Sequence, residues 1–261
     1  MYNHIKRIKM QSKTKFDLNQ FYSNESIHEW KQIIGEELHY HYGYFLGDED
    51  LETGLRQTIK NFYPYIPLDS RVLDVGCGWG GPARLITKER NCSVQGITIS
   101  TAQAEYCRST GLNVWQRDLE QDTIDGEYDL IFMMEALSHI RDKFKLLQQL
   151  RQHAPRLILS VNCVSDSYQG NRTVFGDSMV FCSTSELRRD VEQAGWRIQF
   201  MQDRRPQSIP TLVHWQNNLD RVYGNRIPPH HLSMLGQLKQ EAFKSIKNWC
   251  QAFPLIDIVA D

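Results

Sequence analysis

Hydrophobic and polar positions along this chain change rhythm several times. From residue 23 to 60 the apolar positions suggest two helices, rich in aromatics and broken at Gly35, Gly43 and Gly47, which together predict a cap ahead of the main fold. Strands and helices then alternate. Residues 71–75 form a short strand, 76–81 a glycine-rich turn and 82–90 a helix with Pro82 at its first position, where a missing N–H costs nothing. Residues 93–99 predict a second strand, followed by Ser100 placed to cap a helix that runs through Cys107. A third strand covers 113–116 and a fourth 128–134, the latter apolar enough for the centre of a sheet. A helix over 142–153 leads into a fifth strand over 156–161.

After the fifth strand the alternation weakens. Residues 162–181 predict a long loop, 185–194 a helix closed by Gly195, and 196–202 a sixth strand. Residues 213–250 predict a helical insertion on both sides of Ile227-Pro228-Pro229, and 255–260 predict a final strand. The expected fold is therefore α/β: a Rossmann-like, seven-stranded, mostly parallel sheet flanked by helices, with an N-terminal helical cap and a helical insertion before the last strand. In domain terms, residues 1–60 are leader and cap, and 61–261 the catalytic core with its insertion at 213–250.

Charge and cysteine usage narrow the function. A formal net charge of −1 supplies no general attraction to polyanions, so no nucleic-acid partner is expected. The basic cluster at Lys6, Arg7, Lys9, Lys13 and Lys15 reads as a solvated leader. Six scattered cysteines with no Cys-x-x-Cys pair fit reduced thiols, which argues for a cytoplasmic location and against any metal site. No run approaches the roughly 20 apolar residues that span a bilayer, so no membrane partner is expected.

The most informative stretch is Val72-Leu73-Asp74-Val75-Gly76-Cys77-Gly78-Trp79-Gly80-Gly81. Glycines let a backbone turn sharply and approach a ligand closely, at the carboxyl end of a first strand where open α/β sheets bind ligands. Gly76, Gly78 and Gly81 also satisfy G-x-G-x-x-G, a spacing shared with dinucleotide binders. Polar residues recur at the next strand ends, Arg117-Asp118-Leu119 after the third and Glu135 after the fourth.

Taken together, VLDVGCGWGGPARLI, GITISTAQAEYC, RDLE and YDLIFMMEALSHI resemble class I S-adenosylmethionine-dependent methyltransferases. Within that class they are most similar to the small-molecule branch of tocopherol methyltransferases, glycine/sarcosine-type N-methyltransferases and cyclopropane fatty acid synthases. The resemblance covers about residues 36–202. It implies S-adenosylmethionine as cofactor, with Asp74, Gly76 and Gly78 at its methionine end, Ile99, Ser100 and Gln103 beside ribose and adenine, and Asp118 with Leu119 at the adenine. Glu135 would stand next to the sulfonium, orienting cofactor or substrate. Most class I members carry Asp or Glu at the end of the second strand; this chain has Thr98, as its own branch commonly does.

The resemblance also implies an acceptor side. Tyr42 and Tyr44, in the aromatic segment 39–45, would close over acceptor and cofactor, and aromatic faces attract a sulfonium. His139 follows the fourth strand and is the candidate base or substrate contact; the alternative is a histidine that satisfies backbone groups at the start of a helix. His214, His230 and His231 are weaker candidates. Arg172 would hold a carboxylate, if the acceptor has one. The lack of an Asn/Asp-Pro-Pro-Tyr/Phe segment after the fourth strand argues against amino methylation of nucleobases or glutamine. Expected function is thus methyl transfer to oxygen, nitrogen or carbon of a small molecule, natural products included, with carboxyl methylation of a peptide or natural-product acid as the main variant. An RNA methyltransferase, a nicotinamide-dependent dehydrogenase and a non-catalytic nucleotide sensor are the competing classes, and the oligomeric state stays open.

Overall fold

The computed structural model describes residues 17–23, 26–174, 178–224 and 246–261. The basic leader at 4–15, the Ile227-Pro228-Pro229 break and the histidines at 230 and 231 lie outside these residues.

Seven strands form one sheet in the order β3-β2-β1-β4-β5-β9-β8. Its members are β1 (Arg71–Val75), β2 (Ser93–Thr98), β3 (Asn113–Gln116), β4 (Leu130–Met134), β5 (Arg156–Asn162), β8 (Ile198–Asp203) and β9 (Leu255–Ala260). The first five pair in parallel, whereas β9 inserts antiparallel between β5 and β8. Because β2 and β3 extend one way from β1 while β4 and β5 extend the other, the strand order reverses between β1 and β4. A crevice opens at such a reversal, beyond the carboxyl ends of the strands, and ligands settle there.

Alternation along the central strands divides the apolar residues between two faces. Leu73, Val75, Ile131, Met133 and Leu157 join one cluster with Leu146 and Leu150 of α6 (Lys143–Arg151) and Leu187 of α7 (Thr184–Gln193). Val72, Phe132 and Ile158 join the opposite cluster with Ile59 of α3 (Leu51–Lys60) and Ile86 of α4 (Gly81–Arg90). All residues of β4 and β9 are buried, as strands covered on both faces must be.

The cap contains α1 (Leu18–Ser23) and α2 (Ile27–Ile34) as well as α3. A capping box on Ser26 and Glu29 starts α2, while Gly35 with φ +105° ends it. Trp30, Ile33 and Leu38 then pack on Trp79 of the glycine turn and on Trp215 and Leu219 of α8 (Arg205–Tyr223), which fastens the cap over the crevice. Each such fully buried side chain contributes about 1.5–3 kcal/mol.

The two helices expected over 23–60 are α2 and α3, separated by residues 35–50, which carry no regular helix, and α1 precedes them. Two details differ from the sequence expectation. The helix after the sixth strand starts at Arg205, eight residues earlier than expected, with Pro206 in its first turn where no N–H is needed. The predicted loop over 162–181 contains a short hairpin, β6 (Thr173–Val174) with β7 (Met179–Val180). Helix α5 (Thr101–Ser109), α9 (Ile246–Ala252) and two short 3-10 turns, Tyr63–Tyr65 and Leu137–His139, complete the described elements.

Candidate active site

A cavity of about 520 Å³ opens at the reversal point, lined by the ends of β1, β2, β3, β4 and β5, by the 40–42 segment and by α8. Its cofactor half is built on the glycine turn. The N–H groups of Gly76 and Cys77 both donate to the Ile97 carbonyl, at 2.8 and 2.9 Å, which bends the chain back against β2. Gly76 sits at φ +75°, and a methyl there would lie 2.3 Å from the Ala136 Cβ. A methyl at Gly78, at φ +54°, would meet only Gln103 Nε2, at 4.0 Å. Both conformations are open to glycine at no steric cost.

Three buried polar atoms of this half have no hydrogen-bond partner: Asp74 Oδ2, Gln103 Nε2 and, on the side of the turn packed against the cap, Trp79 Nε1. Asp74 stands behind Val75 and Gly76, which line the cavity, and burial pushes its carboxyl up to about 7. Gln103 lines the cavity itself. The Thr98 hydroxyl donates to its Oε1 at 2.7 Å, which leaves the amide N–H groups as the available face. Buried polar groups are almost always satisfied, so an orphan donor in the wall and an orphan acceptor next to wall residues Val75 and Gly76 mark where a ligand supplies missing partners. Ile99, Asp118 and Leu119 continue this wall. The Asp118 carboxylate also accepts from the Glu120 N–H and the Gln121 amide, shaping its own loop.

On the acceptor half the charged groups satisfy one another, while the buried Trp215 Nε1–H has no hydrogen-bond partner. Glu135 ends β4 with φ +57°, a conformation that costs a non-glycine residue about 1–2 kcal/mol and aims this side chain across the crevice. Its Oε1 accepts from the Tyr42 N–H at 2.8 Å and from Arg204 at 3.2 Å, and its Oε2 from Asn162 at 3.1 Å. Burial pushes this carboxyl up, against the opposing pull of Arg204. Arg204 is 1% exposed; it also donates to Asp257 at 2.8 Å, to Ser160, and to the Tyr42 and Gly43 carbonyls. The neighbouring Arg205 lies 4.5 Å over the Tyr42 ring and donates to Asn162, Ser208 and the Phe253 carbonyl. His139 also lines the cavity. Its Nδ1–H donates to the Ser178 carbonyl at 3.2 Å, which leaves Nε2 with the lone pair, and burial lowers the ring below the usual imidazole range.

Gly76, Gly78, Ile99, Gln103, Asp118, Leu119, Tyr42, Glu135 and His139 are thus brought to one cavity, with Asp74 directly behind its wall. Besides Asp74 and the weaker candidate His214, three predicted residues are not in that wall. Ser100 is the buried N-cap of α5, its hydroxyl accepting from the Gln103 N–H. Tyr44 is drawn off because the flanking N–H groups of Gly43 and Phe45 bond to Thr211 and Gln207 of α8. Arg172 pairs with Glu186 at 2.8 Å on a separate shallow cleft. His214 stacks on Phe45, likewise away from the cavity. Sequence reasoning missed Asn162, Trp215 and Phe253, which with Arg205 reach the acceptor side from three distant segments, Arg205 and Trp215 both on α8. Arg204-Arg205 carried the only readable signal, a charged pair at the edge where acceptor sites form.

The comparisons with known proteins agree with this architecture. The family model for mycolic acid cyclopropane synthetase matches residues 9–227. A probable chloroplastic tocopherol O-methyltransferase from Oryza sativa subsp. japonica is 30% identical over 164 residues, 54% of this chain and 45% of that one. The 27-O-demethylrifamycin SV methyltransferase of Amycolatopsis mediterranei is 25% identical, over 62% of this chain and 58% of its own. The chain therefore spans about half the length of these curated relatives. In three dimensions, the cyclopropane synthase MmaA2 from Mycobacterium tuberculosis superposes with a TM-score of 0.78 at 15% identity, covering 93% of this chain and 97% of that one, a likeness of fold. On the family match over most of its length, this chain belongs to the mycolic acid cyclopropane synthetase family, within the class I S-adenosylmethionine-dependent methyltransferases.

Proposed function

We propose that this protein transfers a methyl group from S-adenosylmethionine to a small-molecule acceptor at oxygen, nitrogen or carbon, natural products being the expected acceptor class and the cytoplasm the expected location. The observation that carries this reading is the pair of unpartnered buried atoms, Asp74 Oδ2 and Gln103 Nε2, at the reversal point of the sheet. A ligand with an ammonium group at one end and hydroxyl acceptors further along supplies a partner for each. Bound there, S-adenosylmethionine supplies a methyl group on a sulfonium, already electrophilic without further activation.

The chain's own residues then have four tasks. Asp74 and the N–H groups around Gly76 and Gly78 hold the methionine end. Gln103, oriented by Thr98, takes the ribose in place of the acidic residue found in most of the class, and Asp118 with Leu119 borders the adenine. Tyr42, Trp215 and Phe253 enclose the acceptor and exclude water, which favours in-line transfer over a short distance. His139, neutral and with Nε2 unprotonated, accepts the acceptor's proton where there is one to lose. Glu135 is held by three donors and sets the position of Tyr42. The carboxyl-acceptor variant loses its anchor, since Arg172 is already paired with Glu186 outside the cavity. Residues 1–60 serve as leader and cap and 61–261 as the catalytic unit. Among the described residues, no helix is long and apolar enough to cross a membrane.

Thermal unfolding with S-adenosylhomocysteine, S-adenosylmethionine and NAD tests the cofactor. The two sulfur nucleosides should raise the melting temperature in a dose-dependent way, since only a ligand of the native state stabilises it by mass action. A larger shift with NAD would overturn the reading. Once an acceptor is found by S-adenosylhomocysteine release, His139→Asn should lower turnover by about 10²-fold or more with nucleoside affinity unchanged. Undiminished turnover would reduce His139 to a structural residue.

A further inference from the structure

Behind the acceptor wall runs a line of buried imidazoles that the catalytic reading does not use. His39 and His41 are 1% and 2% exposed. His41 Nδ1 lies 3.0 Å from the Tyr42 carbonyl, and its Nε2 lies 3.4 Å from His39 Nδ1. The far nitrogen of His39, Nε2, lies 3.4 Å from the Glu37 carboxylate, which is 43% exposed and reaches solvent. The line therefore begins at a carbonyl oxygen and ends at a carboxylate, with two imidazoles between them.

Both ends can only accept hydrogen bonds. A carbonyl at one end requires His41 to carry its proton on Nδ1, which leaves Nε2 to accept from His39 Nδ1–H. A carboxylate oxygen 3.4 Å from the other end is a favourable neighbour only for a protonated His39 Nε2. Three ring nitrogens of four are then protonated, whereas two neutral imidazoles hold only two protons. We infer that the Glu37–His39–His41 line carries one extra proton, resident on His39, and that through it Glu37, His39 and His41 act as positioning residues for the acceptor wall.

The target of that positioning is the Tyr42 peptide. Its carbonyl receives the His41 N–H, the Thr58 hydroxyl at 3.0 Å and Arg204 at 3.0 Å, while its N–H is held by Glu135. Tyr42 and His41 both line the cavity, so a change in the imidazole line moves the surface an acceptor meets. The surroundings favour the arrangement. Glu37 is drawn down to about 2, first by the His39 contact and also by Arg56, which donates to it at 2.7 Å. Burial, then the neighbouring His39, hold His41 well below the usual imidazole range, as the neutral partner requires. The other charged groups facing the line are Glu52, which accepts from the Glu37 N–H, Arg84, which donates to the Glu37 carbonyl, and Arg204. Its bearing on acceptor binding rests on the methyl-transfer reading; the proton count does not.

Nitrogen NMR of the full chain labelled at histidine reads each ring nitrogen as protonated or bare, with no acceptor needed. At pH 7 the His39–His41 pair should show three protonated nitrogens and one bare, the bare one being His41 Nε2. Two bare nitrogens would overturn the inference, whatever the methyl-transfer assays give. Glu37→Gln, at a half-exposed position, should restore a second bare nitrogen on His39 and speed Tyr42 amide exchange by about tenfold or more, the worth of one charge-assisted bond. His39→Gln assigns the signals and keeps a neutral N–H toward His41. It should show the same fast Tyr42 exchange, whereas exchange at the wild-type rate in both variants would equally overturn the positioning role.

Discussion

The two halves of the cavity handle their buried charged groups in opposite ways. The cofactor half leaves an acceptor on Asp74 and a donor on Gln103 without partners, behind glycines that admit a ligand's backbone-close approach. On the acceptor half, Glu135 and Arg204 take their hydrogen bonds from within the protein, at Tyr42, Asn162, Ser160 and Asp257. The first half is prepared for a ligand that supplies charge and hydrogen bonds. The second is a preorganised wall that contributes shape, one imidazole lone pair and the Trp215 indole N–H, so it selects chiefly by fit.

The largest effect should come from breaking the self-satisfied half. Arg204→Gln leaves Asp257 and Glu135 buried without their shared cation, and removing one partner of such a set costs about 3–5 kcal/mol. Urea unfolding checks this, and a loss below 1 kcal/mol would mean that the network is not the scaffold of the acceptor wall. At the other extreme, Arg172→Ala should change stability by no more than about 0.5 kcal/mol, as for an exposed pair, and leave turnover intact. A clear loss of acceptor affinity in that variant would put Arg172 back in the site and blur the contrast between the halves.

The same contrast governs what was legible in the sequence. The cofactor half is local: the strand, turn and helix from Arg71 to Arg90 are contiguous, and the glycines announce the turn at the positions where positive φ is needed. The Ser100 cap and the ends of β3 and β4 were readable for the same reason. The acceptor half is assembled from segments around Tyr42, Glu135, Asn162, Arg205 and Phe253, up to two hundred residues apart, and no periodicity reports such meetings. Arg204 and Arg205 have the composition of a surface loop, and only the partners contributed by β4, β5 and β9 make them core residues. Likewise, alternation predicts that 255–260 is a strand, but its antiparallel placement between β5 and β8 depends on the chain's return through α8 and is invisible locally. Tyr44 fails for a nearer reason, because the backbone on both sides of it is tied to α8.

Calorimetry of S-adenosylhomocysteine binding between pH 6 and 8, on the wild-type chain and on Asp74→Asn, tests the central claim most directly. Burial holds the Asp74 carboxyl near 7 in the free protein, whereas an ammonium partner requires the carboxylate, so binding below that point must expel a proton. Wild-type affinity should therefore fall toward about tenfold per unit as the pH drops below 7 and level off above it. Asp74→Asn should bind about 10-fold to 100-fold more weakly at pH 8, the worth of a charge-assisted hydrogen bond, and lose the pH dependence. Equal affinity and an equal pH profile in the two proteins would show that the nucleoside's methionine end is not held by the turn that follows β1.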